Sequence, residues 1–332
     1  MLGVKRFLIF CVVVVTMSMS LVGCSEKEEM ETVDENKASI KIVMSGPKAP
    51  PTIPMLRMME TNVLGEDVEV EFKIWNSPEE LMAIASKKDF DFLALPVNVA
   101  AKLYNKGIDI KMLNVNTWGV IYLVAADGSV NEWSDLKGKE LYVALQSAPP
   151  DIITQYFLRD VGLDPAKDMN IKYSTQPEIA QLFSSGSIKY AVNIEPFITA
   201  SLMNVADARI VFDYNEEWKK FVGEEFEIPT AAIAVPNELL SLYPELAEKF
   251  QKEYEIALSW VKDNPEEAGK LANKYFGIKP ELVANAMPRL GLNFVDMTGA
   301  KADLNRYYEV LVEVMPQSIG GKIPDEGLYY EQ

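Results

Sequence analysis

The stretch Trp75–Gly107, WNSPEELMAIASKKDFDFLALPVNVAAKLYNKG, decides the fold. Ser77 reads as an N-cap, Pro78 takes the first helical position, and Glu80 stands where a capping box needs an acid. Leu81, Ile84 and Ala85 then share one helical face. After a short charged turn comes Phe90–Leu95, an apolar run too short for a helix and continuous rather than alternating. That is the pattern of a strand covered on both faces. Asn98 begins a second helix, which Lys106 and Gly107 close. Helix, buried strand and helix in immediate succession is the unit of a mainly parallel sheet flanked by helices.

The same alternation extends outward in both directions. Strands are expected near Ser39–Met44 and Val68–Ile74 before this stretch, and at Ile110–Val115 after it. A second cluster follows Gly119, with strands near Val120–Ala125, Glu140–Leu145, Ile171–Tyr173 and Lys189–Ile194. Its helix from about Pro150 to Val161 carries an apolar stripe of Ile152, Ile153, Tyr156 and Phe157 and stops at Gly162. The run Thr230–Val235 precedes a continuous helical region from Asn237 to about Met315, broken by Pro244, Pro265, Pro280 and Pro288 and without a strand pattern of its own. Extended segments near Asn114–Tyr122 and Pro229–Pro236 join the two clusters. The expected organisation is an α/β protein of two lobes with two hinge crossings: residues 39–118 plus 233–332 in the first, residues 119–232 in the second, and a cleft between them.

Composition narrows the chemistry. Of 332 residues, 48% are hydrophobic and 24% charged, ordinary for a protein that buries a large core. The net charge of −17 repels phosphate backbones, so nucleic acid is not an expected partner. Histidine is absent, which removes Ser-His-Asp and Cys-His machinery and histidine-based metal sites. The two cysteines, Cys11 and Cys24, both lie near the N-terminus and form no thiolate cluster, so no metal and no cofactor is expected.

The N-terminus reads as an address. Lys5 and Arg6 precede the apolar run Phe7–Val15, which is shorter than the ~20 residues of a spanning helix, and smaller residues follow. Leu21-Val22-Gly23-Cys24 resembles the bacterial lipobox. The resemblance implies that residues 1–23 are a lipoprotein signal peptide and that Cys24 becomes a lipidated N-terminus on the outer face of the cell membrane. Residues 24–38, polar and acidic, read as a solvated tether.

Three segments carry a wider resemblance: Trp75–Gly107, then WSDLKGKELYVALQSAPPDIITQYFLRDVGL (Trp133–Leu163), then YAVNIEPFITASL (Tyr190–Leu202). Together, over about Ile40–Met315, the chain resembles the type II periplasmic-binding fold. Within that fold it is similar to the group of taurine-, alkanesulfonate- and pyrimidine-precursor-binding proteins, the NMT1/THI5-like and SsuA/TauA-like group. The resemblance implies a monomer that captures a small organic solute between closing lobes and delivers it to an ABC permease driven by its ATPase. No Walker A pattern is present, so nucleotide hydrolysis is expected of the partner.

Ligands of open α/β sheets bind beyond the carboxyl ends of strands, where helix N-termini aim unpaired N–H groups. That rule selects Ser45, Pro47, Thr52, Trp75 and Asn98 on the first lobe. On the second it selects Gln146, Ser147, Asp151 and Glu195, and the crossings add Asn116, Thr117, Trp118 and Thr230. Ser77, Asn98 and Glu195 each have a capping role as the plain alternative. The expected cleft loops hold Lys48 and no arginine, whereas a buried sulfonate usually recruits arginine. Tryptophan beside a carboxylate suits a heteroaromatic or nitrogenous solute better than a sulfonate. Two other functions use the same features: an enzyme of this fold acting on a pyrimidine or menaquinone precursor, with Asp151 and Glu195 as conceivable acids, and a sensor or adhesion lipoprotein.

Overall fold

The computed structural model describes residues 40–331; the expected signal peptide, Cys24 and the tether lie outside the described residues. The chain opens with β1 (Ile40–Pro47), α1 (Thr52–Glu60), β2 (Val68–Trp75), α2 (Pro78–Lys87), β3 (Phe92–Pro96), α3 (Val97–Asn105) and β4 (Ile110–Trp118). The capping box at α2 forms with one change. Ser77 Oγ accepts the Glu80 N–H at 3.2 Å, but the Glu80 carboxylate reaches back to the Asn76 N–H at 2.6 Å rather than to Ser77. β3 is buried from Phe92 to Leu95, as its continuous apolar run requires.

The middle of the chain holds β5 (Ile121–Ala125), β6 (Glu140–Ala144), α4 (Pro149–Asp160), β7 (Asn170–Ser174), α5 (Gln176–Ser184), β8 (Tyr190–Ile194), α6 (Phe197–Asn204), β9 (Arg209–Asp213) and α7 (Tyr214–Val222). The chain returns through β10 (Pro229–Pro236) into α8 (Asn237–Leu242), α9 (Pro244–Asp263), α10 (Pro265–Phe276) and α11 (Pro280–Ala286). It ends with β11 (Leu292–Asp296), α12 (Met297–Val314) and short turns. β9 and β11 were not expected. β11 corrects the reading of an all-helical C-terminal region: after Pro288 and Gly291 break the helix, the strand pairs antiparallel with β4 through Leu292, Val295 and Asp296.

The strands sort into two sheets. One has six strands in the order β11-β4-β10-β3-β1-β2, the other five in the order β7-β6-β8-β5-β9. β1 runs parallel to β2 and β3, and β10 lies antiparallel between β3 and β4. The carboxyl ends of β1 to β4 therefore share one edge with the starts of β10 and β11. In the second sheet β6 is parallel to β7 and β8, so their carboxyl ends also share an edge.

The C-terminal helices fix where the first sheet's helices start. Phe250 of α9 stacks on Phe92 of β3 with centroids 3.8 Å apart, and Tyr254, one turn on, donates its hydroxyl to the Pro51 carbonyl at 2.8 Å. Tyr308 of α12 does the same for the Val97 carbonyl at 3.0 Å. The starts of α1 and α3 are thus held from behind by buried phenols. The crossings bind each other: Gly119 N–H donates to the Ile228 carbonyl at 2.8 Å, and Thr230 Oγ1 donates to the Gly119 carbonyl at 2.9 Å. Gly291 joins β11 to the crossing with φ 58°, and a Cβ there would lie 1.8 Å from the Trp118 carbonyl oxygen. Only glycine fits.

Candidate functional site

On the six-stranded sheet the candidates converge at the carboxyl edge, and several arrive without partners. Ser45 Oγ at the end of β1, Thr52 Oγ1 at the start of α1 and Asn98 Oδ1 in the first turn of α3 are buried and make no hydrogen bond. Asn98 corrects the capping alternative: α3 starts at Val97 with Pro96 before it, so Asn98 is inside the helix and caps nothing. Trp75 is half-buried, its Nε1 donating to the Ala94 carbonyl at 3.3 Å, and Pro47 closes β1 opposite it in register.

β4 carries a buried polar chain. Thr117 Oγ1 donates to Asn116 Oδ1 at 3.0 Å, Asn116 Nδ2 donates to Asn114 Oδ1 at 3.1 Å, and Asn114 Nδ2 is left without an acceptor. Asn114 and Asn116 are both fully buried. Buried amides are normally satisfied, so a strand that spends two of them here has a use for them beyond packing. Asn114 was not among the sequence candidates; an asparagine inside the apolar run IKMLNVNTW is the signal that could have found it.

The five-stranded sheet meets the site differently. Gln146 and Ser147, after β6, are exposed. Asp151 in the first turn of α4 is 1% exposed and accepts the Ser147 N–H at 2.8 Å, Gln155 Nε2 at 2.9 Å and the Tyr173 hydroxyl at 2.9 Å. Glu195, at the end of β8, is also 1% exposed. It accepts the Thr199 N–H at 3.0 Å, the Thr199 hydroxyl at 2.9 Å, and Arg289 Nε at 2.6 Å.

Arg289 corrects the expectation of an arginine-free site. It lies in the turn between α11 and β11, on the six-stranded sheet's side, and spans to the other sheet. The Tyr122 hydroxyl donates to the Arg289 carbonyl at 3.4 Å, and burial raises the Tyr122 phenol above its ordinary range. The sequence signal for Arg289 was the Pro288–Gly291 break, which a purely helical reading passes over.

Two of the four crossing candidates, Thr230 and Trp118, already make contacts within the chain. Thr230 braces Gly119, and Trp118 donates Nε1 to the Asn293 carbonyl at 2.9 Å. Trp118 also lines a groove of about 570 Å³ with Asn215, Lys262, Met287, Leu292 and Asn293. That groove shares only Trp118 with the sequence candidates, and its polar groups do not include the unpartnered buried ones. The edge of β1, α1, α3 and β4 is therefore the stronger candidate site, because unmet buried polar groups demand a partner and an open groove does not. Among the described residues no Asp, Glu or Cys cluster is placed to hold a metal ion, and no helix is long and apolar enough to cross a membrane.

Comparison with known proteins agrees with this architecture. The family model described as NMT1-like matches residues 82–274. A curated relative, the candidate binding protein YtlA of Bacillus subtilis (strain 168), is 27% identical over 150 residues, covering 45% of this chain. The chain spans 42% of that relative's length. A solved ABC transporter protein from Parabacteroides distasonis superposes with a TM-score of 0.72 at 24% identity, covering 89% of this chain and 99% of the other. The periplasmic aliphatic sulphonate binding protein SsuA from Escherichia coli gives 0.70 at 14% identity, covering 88% and 92%. At these identities the structural likeness speaks for the fold.

Proposed function

We propose, on the premise that this chain belongs to the NMT1-like family, that it is the solute-capturing component of an ABC importer. Residues 39–118 plus 233–332 form one lobe and 119–232 the other, with the solute held between their carboxyl edges. The observation that carries this reading is the set of buried, unpartnered polar atoms on Ser45, Thr52, Asn98 and Asn114. Leaving a buried polar group unmet costs roughly 1–3 kcal/mol, so four at one sheet edge call for a bound molecule.

The set is mixed. Asn98 offers an acceptor and Asn114 a donor, while the two hydroxyls serve as either. A solute carrying both N–H and C=O groups, as amides and nitrogen heterocycles do, meets all four; a sulfonate offers acceptors alone. Half-buried Trp75 supplies an aromatic surface beside them. The solute class is therefore a planar, nitrogenous organic molecule.

Delivery requires a permease and ATPase as partners, and the protein works as a monomer outside the membrane, held there by lipid on Cys24. Replacing Cys24 by alanine should move the protein from the membrane fraction to the soluble one; retention in the membrane would refute the anchor. For capture, a metabolite screen by thermal shift should find a solute that stabilises the fold by ~2.7 kcal/mol at a hundred times its Kd. A screen of nitrogen heterocycles, amides and sulfonates without any shift would overturn solute capture.

A further inference from the structure

In the five-stranded sheet, the places where a helix start would hold an oxyanion are filled by the chain's own carboxylates. Helix α6 presents the Thr199 N–H and hydroxyl, and both go to Glu195. At α4 the Ser147 N–H goes to Asp151. The cation at this edge, Arg289, gives its Nε to Glu195 and an Nη2–H to Thr199 Oγ1. The donors that recognise a sulfonate, phosphate or nitrate are aligned N–H groups and a guanidinium. Here the Thr199 and Ser147 N–H groups and the Arg289 Nε are each engaged by an internal carboxylate.

We propose that Glu195, fixed by Arg289 and by the start of α6, is a built-in counter-ion that bars anionic solutes from the cleft and so sets specificity for uncharged ones. This rests on the reading that the solute sits between the two carboxyl edges. An arriving anion has two routes. It can leave the Glu195–Arg289 pair intact, and then it finds the Thr199 N–H and the Arg289 Nε already engaged by a buried carboxylate. Or it can take Arg289 for itself and strand Glu195, buried and without its cation. Both routes oppose binding. An uncharged solute disturbs neither, and the opposite edge offers it only neutral partners in Ser45, Thr52, Asn98 and Asn114. An internal competitor for the donors that the wrong solute needs is a recognised route to specificity.

The test is titration calorimetry with ethanesulfonate on the wild type, Glu195→Gln, Glu195→Ser and the double variant Glu195→Gln/Arg289→Gln. Glutamine keeps the acceptor for the Thr199 N–H and removes the charge; serine frees Arg289 by a different route should glutamine perturb folding. The wild type should show no ethanesulfonate binding at millimolar concentration. Each single variant should gain affinity by about tenfold or more over the wild-type limit, and the double variant should lose that gain because the freed guanidinium is gone. Ethanesulfonate binding to the wild type, or no gain in either single variant, overturns the proposal. Solute capture is judged separately by the wild-type screen: a neutral hit there without any gain in the variants would sink the counter-ion alone, whereas a sulfonate hit would sink it while solute capture stands.

Discussion

Replacing Thr52 by valine should make the free protein more stable and the liganded one weaker, a pair of opposite signs that ordinary packing changes do not give. Thr52 is fully buried, its Oγ1 has no hydrogen-bond partner, and the facing position, Gly46, is so close that a Cβ there would lie 2.4 Å from that oxygen. Valine has nearly the same shape. It removes an unmet hydroxyl worth roughly 1–3 kcal/mol and buries a methyl worth about 0.8 kcal/mol. The free protein should therefore gain on the order of 1–3 kcal/mol in urea unfolding, seen in a thermal melt as a rise of about 2–4 °C per kcal/mol for a chain of this size. The solute found in the screen should lose one hydrogen bond and keep one polar atom unmet, for an affinity loss of roughly ten- to a hundredfold by calorimetry. A less stable free variant would refute the reasoning, because it would mean that Thr52 is satisfied in the free protein, for instance by a buried water. Unchanged affinity with raised stability would remove Thr52 from the site.

Three other outcomes follow from the same structure. Arg289→Gln should destabilise the protein by about 2 kcal/mol, below the 3–5 of a fully buried pair because Arg289 is 30% exposed, and adding Glu195→Gln should recover at least half of that loss; additive losses in the urea cycle would refute the coupling. Gly291→Ala forces a Cβ against the Trp118 carbonyl at a positive φ and should cost more than ~2 kcal/mol in urea unfolding, and a loss within experimental error would show that β11 can shift without penalty. Burial raises the Asp303 carboxyl above its ordinary range while it accepts the Glu227 N–H, so the folded state holds that proton to higher pH than the unfolded chain does. The stability this lends is complete below the ordinary aspartate value of about 3.9 and is lost as pH rises through the raised value. Asp303→Asn should accordingly gain stability relative to wild type between about pH 4 and pH 7, and a difference that stays flat with pH would refute the burial argument.

What the sequence disclosed depends on how locally each feature is encoded. The strand of Phe92–Pro96 and helix α2 were legible because both faces of one and the capping residues of the other are written in consecutive positions. β11 was not, because it is a five-residue edge strand with only Leu292 buried and so carries no periodicity to read. The strand ends were read short at Ser45–Pro47, which pair in register with Lys73–Trp75, and at Asn116–Trp118, where Thr117 and Trp118 pair with β10 across register shifts. Ser45, Thr52 and Asn98 could be named from the carboxyl-edge rule alone. Arg289 and Asn114 could not: one reaches the edge through the return of the C-terminal helices, and the other owes its place to the depth of β4 within the sheet. For Asp151 and Glu195 the positions were legible but the partners were not, and the partners turn them from contacts offered to a solute into groups already engaged.

The packing between the two sheets is unequal on its two sides, and this bears on how a solute gets in. On one side a single apolar core runs from sheet to sheet: the cluster of Trp133, Phe157 and Phe212 beside the five-stranded sheet continues to Trp218, which lies 6.0 Å from Tyr307 of α12, all of them buried. On the other side the contact is polar, with Arg289 and the short helix α11 set against α6. Separating the sheets at α12 would expose several aromatic side chains, each of which buries 150–250 Å² as a rule. Separating them at α6 breaks one ion pair, whose cation is already partly hydrated, and the hydrogen bonds that Arg289 makes with Thr199 and Tyr122. Large apolar interfaces restrain relative motion and small polar ones permit it, so an opening between the lobes is expected at the Glu195 side with the α12 side as its pivot. In such an opening the contact that separates first is the one that holds Glu195, so the charge proposed to exclude anions and the opening of the cleft share a single polar cluster.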